Sequence, residues 1–317
     1  MGIIREVDKI EILTLQDNYV DLTSMDNSQI VQRAMPVKDM ELKNSILAEH
    51  GFSAMVTVTS GSKSRSMLFD FGYSAEGAAI NAETLGADLS GVEVLALSHG
   101  HLDHVGGLKK LVDLTGKEKI KLVLHPAAFT GPRYVKPMEG VKVYFPPFTR
   151  EKAEEAGIEV VETTKPLTLL DDALLFLGEI ARHSEFEKGM PNAYYEDEGK
   201  EKWDPISDDT ALVANVKDKG LVVLSGCAHS GIVNTVNYAK EVTGIEKIHA
   251  IMGGFHLAGP GFADIVKPTT EALKRFGPDY IIPTHCTGRQ AIMHIEKEMP
   301  KAFILNLSGT KLTFAAA

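Results

Sequence analysis

The sequence predicts one layered α/β domain, and three observations carry that prediction. Short apolar strands alternate with stretches of helical periodicity. Several of those strands end on a histidine. No internal repeat, low-complexity tract or linker rich in Pro, Gly or Ser divides the chain. At 317 residues the chain has room for one large domain with an insertion. Its 44% hydrophobic and 24% charged content suit a core that needs no disulfide scaffold.

The elements follow in order. Residues 10–15 predict a strand, and 53–59 alternate apolar with small polar residues as a half-buried strand does. Residues 66–71 return as its partner across Ser60-Gly61-Ser62-Lys63. A helix is expected over 75–85, a strand over 92–97, a helix over 105–114 and a strand over 121–124. The stretch 127–205 is less regular and holds the polar run Tyr194 to Lys202. It reads either as an inserted cap shaping a pocket or as solvated surface loop. The rhythm then resumes. Strands over 211–216 and 221–224 pair around Asp218-Lys219-Gly220, and a helix follows over 232–242. A strand over 247–252 ends at Gly253-Gly254-Phe255-His256. A helix over 269–276 leads to a strand over 280–283, which ends at Thr284-His285-Cys286. Carboxyl ends of strands are where open α/β sheets place their ligands.

Charge and hydropathy exclude several function classes. The formal net charge of -10 disfavours attraction to nucleic acid or an anionic membrane, and no basic, aromatic-rich stretch supports a nuclease. No apolar run approaches the ~18–20 residues of a membrane span, and the first residues lack the apolar stretch of a signal peptide. A cytoplasmic location and a small-molecule substrate are therefore expected, with oligomeric state left open. A phosphorylated substrate stays compatible with the acidic balance, because a metal ion supplies local positive charge.

The chemistry concentrates in His99-Gly100-His101-Leu102-Asp103-His104. In an extended segment residues two apart point the same way, so His99 and His101 can grip one ion together. Asp103 and His104, at the turn into the next helix, face a second. Gly100 lets the backbone bend and Gly106-Gly107 lets it pass closely. These groups cannot complete two coordination shells, so further ligands must come from the strand ends. His285, after Ile281-Ile282-Pro283, and His229 read as ligands, and His256 as a pocket residue touching substrate. Cys227, in Cys227-Ala228-His229, is either a ligand or an inert buried thiol, whereas Cys286 reads as structural. His50, His125 and His183 are weaker candidates; His249 and His294 look ordinary.

The segment His99 to His104 resembles the HxHxDH signature of the metallo-β-lactamase superfamily. Leu68-Phe69-Asp70-Phe71-Gly72 is similar to that superfamily's earlier motif, whose aspartate orients the His-rich loop. Leu221 to Cys227 looks like the strand that delivers a bridging aspartate, with Cys227 in its place, and His285 matches the last histidine, which binds the second ion. The resemblance implies an αββα sandwich carrying one or two divalent ions. Cysteine with several histidines points to zinc first, with iron or manganese as alternatives. Three further stretches are similar to a subgroup named as dihydropterin-6-methyl-(ribofuranosyl)aminobenzene-phosphate synthases: Leu47 to Gly51, Gly226 to Asn234, and Gly253 to Leu257 with Pro283 to Gly288.

One departure stands out. The superfamily's third metal histidine falls near Ser207-Asp208-Asp209-Thr210, where none is present. Either His229 or one of Asp208 and Asp209 replaces it, and a short turn after the strand end favours His229. The expected function is a metal-dependent hydrolase acting on a small, phosphorylated ester through activated water. Asp103 would be both ligand and proton acceptor, and His256 would meet the substrate. The alternatives are a transferase or synthase using phosphoribosyl and pterin-like substrates, and a metal-binding protein without catalysis. A redox di-iron role is disfavoured, because such relatives replace the second histidine with glutamate and carry a flavin domain.

Overall fold

The computed structural model describes residues 4–35, 37–38, 40–42, 45–259 and 261–316. Two mixed sheets stack face to face. The first has eight strands in the spatial order Ile158–Glu162, Ile120–Leu124, Val92–Ala96, Lys63–Phe71, Ser53–Ser60, Lys9–Gln16, Lys311–Ala315 and Val31–Gln32. The second runs Leu167–Leu169, Leu174–Phe176, Ala211–Val216, Gly220–Ser225, Ile248–Gly254 and Tyr280–Thr284, with Glu6–Val7 added in parallel to Ala211–Val216.

Period-two alternation sorts side chains between layers. Along Ala211–Val216, the side chains of Leu212, Ala214 and Val216 enter the core between the sheets, where they join Val56, Phe69 and Phe176. Ala211 and Val213 face the opposite way, toward Ile232, Val236 and Leu273 of the helices Ile232–Thr243 and Val266–Phe276. The outer face of the first sheet is covered by Gly77–Thr84 and Leu108–Thr115, whose Ala78, Ala82, Leu111 and Val112 pack on Leu68, Leu95 and Leu122. The order helix, sheet, sheet, helix is the expected αββα sandwich.

Lys63–Phe71, Val92–Ala96 and Ile120–Leu124 are mutually parallel, as are Gly220–Ser225, Ile248–Gly254 and Tyr280–Thr284. Each set therefore delivers its carboxyl ends to one edge. The helix expected over 105–114 is broken into Leu102–Val105 and Leu108–Thr115. The break is steric: a Cβ on Gly106 would lie 1.7 Å from Tyr73 O, and one on Gly107 2.4 Å from Phe71 O. Only glycines let this turn press against the neighbouring strand and donate Gly106 N to Gly72 O at 2.9 Å.

The stretch 127–205 is not one insertion. Ile158–Glu162 extends the first sheet, and Leu167–Leu169 with Leu174–Phe176 form an edge of the second. What stands apart is a four-stranded antiparallel sheet, ordered Val141–Tyr144, Arg133–Met138, Ala193–Asp197 and Lys200–Trp203. Its two hairpins are separated in sequence by strands of the sandwich itself.

Candidate metal centre

The strand Val92–Ala96 ends beneath the His-rich segment, and the neighbouring strand Lys63–Phe71 carries Asp70 one residue before its end, with a φ of 58°. Asp70 is fully buried and ties the segment down. Its Oδ1 accepts from Ser98 N at 2.7 Å, and its Oδ2 accepts from Ser98 Oγ at 2.7 Å and meets His104 Nδ1 at 2.6 Å. The His104 ring is thereby oriented with Nε2 toward Cys227 Sγ, 3.1 Å away. His99 Nε2 and His101 Nδ1 approach to 3.0 Å.

Turns at the other strand ends bring in the remaining groups. Asp103, His104, Cys227 and His285 place one ligand atom each within 4.8 Å of one another, and so do His99, Cys227 and His229. Cys227 belongs to both groups, at the position between them. His285 Nε2 lies 3.0 Å from Asp103 Oδ2, and the rings of His101 and His229 are 4.9 Å apart. Ala228, His256 and His285 all adopt left-handed backbone conformations, with φ of 52°, 42° and 45°. Non-glycine residues there cost of order 1–3 kcal/mol each, and such strain clusters at functional sites.

The donor set fits a cation. His101 Nε2, both ring nitrogens of His229 and His256 Nδ1 are buried without a hydrogen-bond partner, a costly state unless something else satisfies them. Burial, reinforced by neighbouring imidazoles, holds His99 and His229 well below the usual histidine range, and burial with Arg133 takes His101 to about 3. They are thus the neutral imidazoles that metals bind. Burial opposes charging of His104, but Asp70 and Asp103 outweigh it and lift its pKa to about 9. Burial likewise raises Asp103, yet His104 and His285 prevail and hold it well below the usual carboxylate range.

Neither aspartate near the missing histidine reaches into this cluster. Asp208 Oδ2 accepts from Gly100 N at 2.7 Å and from Arg133 Nη1 at 3.0 Å, and Asp208 Oδ1 accepts from Arg133 Nη2 at 2.5 Å. Asp209 accepts from His229 N at 2.8 Å and Ser230 N at 2.9 Å. The two carboxylates shape the loops on either side, and the imidazole that joins His99 and Cys227 is His229. Sequence reasoning missed Arg133, which comes from the small sheet, and Asp17, whose Oδ1 accepts from His285 N at 2.9 Å. It also missed Asn18, whose Oδ1 lies 3.1 Å from His285 Nδ1. A lone arginine or aspartate gives no local signal. His256 lines the same cavity of about 480 Å3 as His101, Asp103, Cys227 and His229, and its ligand atom lies within 4.8 Å of Cys227 and Cys286. The cavity's outer wall is Tyr73, Val143, Tyr144 and Phe145.

Known proteins resemble this chain in sequence and in fold. The sequence model described as the Metallo-beta-lactamase superfamily matches residues 50–240. The chain is 31% identical over 303 residues, 95% of each protein, to a protein of Methanocaldococcus jannaschii named 7,8-dihydropterin-6-methyl-4-(beta-D-ribofuranosyl)-aminobenzene-5'-phosphate synthase. An uncharacterized protein of the same organism is 30% identical over 263 residues, covering 79% of this chain and 88% of that one. Among solved structures, one titled as a metal-dependent hydrolase of the beta-lactamase superfamily superposes with a TM-score of 0.74. It is 24% identical and covers 97% of this chain and all of its own. The metallo-beta-lactamase fold protein YhfI from Bacillus subtilis follows at a TM-score of 0.51 and 12% identity, covering 97% and 100%. The sandwich, the histidine-rich segment and these matches make the chain a member of the metallo-β-lactamase superfamily.

Proposed function

We propose that the chain is a metal-dependent hydrolase of a small, phosphorylated ester. The observation that carries this reading is the clustering of Asp103, His104, Cys227 and His285 with His99, His101 and His229, four of which (His101, Asp103, Cys227 and His229) line a cavity wide enough for a small molecule. His99, His101, Cys227 and His229 would hold one divalent ion, and Asp103, His104, Cys227 and His285 a second. Mixed imidazole and thiolate donors suit zinc, with iron and manganese as alternatives. Such an ion, when bound, lowers the pKa of water toward 7 and polarises the substrate oxygen.

The chain's own groups divide the remaining work. Asp103 stays ionised, so its oxygens accept hydrogen bonds from water and orient it. A carboxylate this acidic is a better orienting group than a lasting proton store. Burial depresses His256, but Cys286 beside it more than compensates and raises its pKa. Lining the cavity, it would serve as the proton donor to a departing alkoxide. Asp70 and Asn18 fix the rings of His104 and His285. The test is Asp103→Asn together with His101→Ala. Each should lose metal and hydrolytic rate, and full retention of both would refute the assignment.

The name of the 31%-identical relative supports a second reading, a synthase joining phosphoribosyl and pterin-like substrates. Product analysis separates the two, since a synthase makes a new bond between its substrates and a hydrolase consumes water.

A further inference from the structure

Outside the metal centre lies a larger cavity of about 650 Å3, lined by Arg182, Lys188, Trp203, Ser207 and Ser230 among others. Ser230 faces it directly after His229, so its inner wall is the back of the metal site. Arg182 is fixed by three hydrogen bonds, all from Nη2: to Pro205 O, to Ile206 O at 3.2 Å and to Ser230 Oγ at 3.3 Å. Its Nη1 has no acceptor among the described residues, and the exposed Lys188 ammonium has no partner there either. The oxygens of the two carboxylates on the same cavity have partners elsewhere, although Glu187 still interacts with the charge of Arg182. Glu187 accepts from Val233 N at 2.8 Å and Asn234 N at 2.9 Å, and Glu179 faces His125 Nε2 at 3.6 Å.

The cavity thus presents a guanidinium nitrogen without an acceptor and an ammonium without a hydrogen-bond partner, with the charge of Arg182 offset in part by Glu187 and Asp209. Beside them stands an aromatic face. Trp203 is 43% exposed, and its Nε1 donates to Met190 O at 3.0 Å, which fixes the indole. A Cβ placed on Gly189 would stand 3.1 Å from Arg182 Nη1 and 3.3 Å from Trp203 Cζ2. Guanidinium and indole therefore flank one point that glycine keeps open. A guanidinium nitrogen with an ammonium and hydroxyls donates to a phosphate-type anion, and an exposed indole recognises a flat ring by stacking.

We infer that this cavity is a binding site for a planar aromatic compound carrying a phosphate-type anion. The site is separate from the proposed metal ligands, so its existence does not depend on the hydrolase reading.

Trp203 is the single tryptophan of the chain, so intrinsic fluorescence reports on this cavity. The full-length protein is titrated with phenylphosphonate, whose carbon–phosphorus bond resists hydrolysis, and separately with inorganic phosphate and with phenol. A saturable change with phenylphosphonate is expected, with a Kd at least tenfold lower than for either fragment. Lys188→Gln should raise that Kd about tenfold, Lys188→Glu should abolish the change, and His101→Ala should leave it intact. The inference is overturned by no saturable change, by unaltered binding in Lys188→Glu, or by fragments binding as tightly as the whole. Loss of the signal in His101→Ala with retention in both Lys188 variants would overturn it too, by placing the anion at the metals.

Discussion

Removing Arg133 should destabilise the protein strongly, because two buried carboxylates depend on it. Arg133 is 5% exposed; its Nε stands 2.8 Å from Asp204 Oδ2, and its two terminal nitrogens hold both oxygens of Asp208. Asp208 is fully buried and Asp204 nearly so. In Arg133→Met both carboxylates lose their counter-charge in a region water does not reach. Breaking a buried pair in this way costs about 3–5 kcal/mol, or roughly two to three and a half powers of ten in the folding equilibrium. The loss also propagates. Asp208 is held below the usual carboxylate range because Arg133 outweighs burial, and its Oδ2 positions Gly100 N between His99 and His101. Metal affinity should fall about 10–100-fold, as when an orienting partner is removed. Urea unfolding followed by circular dichroism at pH 7.5 measures the first effect, and titration with a competing chelator the second. The triple variant Arg133→Met, Asp204→Asn, Asp208→Asn should recover part of the stability. Neutral amides carry no buried charge, and the carboxamide that replaces the Asp208 carboxylate still offers an oxygen to Gly100 N. A single variant within about 1 kcal/mol of wild type, or a triple variant no more stable than the single one, would refute the reasoning.

Other expectations follow from the same structure. Burial lifts Glu187 from the usual 4.5 to about 7 despite two backbone donors. A raised carboxyl pKa means that its stabilisation is complete below about 4.5 and disappears as pH rises through 7. Glu187→Gln should therefore flatten the stability difference between pH 5 and pH 8 by about 2–3 kcal/mol, read from urea midpoints. His256→Gln should keep its metal content and lose about 10²–10⁴-fold in kcat, since removal of a proton donor spares the ligands; elemental analysis with steady-state kinetics checks both halves. Cys227→Ser should disturb both proposed ions together, because Cys227 belongs to both ligand groups. Loss of one equivalent with the other at full affinity would count against that sharing.

Much of this was legible in the residues. The apolar runs 211–216 and 221–224 on either side of Asp218-Lys219-Gly220 announced a strand pair, and the strand ends carrying His229, His256 and His285 announced a ligand site. Within 127–205 the pattern failed, because Ile158–Glu162 is a short strand whose partner lies far back in the sequence, and Leu167–Leu169 and Leu174–Phe176 are strands of three residues each. Their assignment depends on pairing, which local periodicity does not encode. The helix break at Gly106-Gly107 was written in the glycines but only as permission to approach something; the something, Tyr73 O, is a tertiary fact. The roles of Asp208 and Asp209 were open for a similar reason. Each is an ordinary carboxylate until Arg133 or the His229 turn is brought against it.

Asp17 also ties the aim of His285 to distant stretches of the chain. It receives His285 N from one side and Asn306 Nδ2 from the other, and Ser308 Oγ donates to its carbonyl. Beyond Ser308 the strand Lys311–Ala315 seats itself against Lys9–Gln16. Polypeptide near residue 17 is thus clasped to polypeptide near residue 308 across the whole length between them. A nascent chain that has emerged only as far as its histidine-rich segment owns the imidazoles but not the frame that aims His285. The aim of His285 therefore depends on contacts that only the folded sandwich supplies.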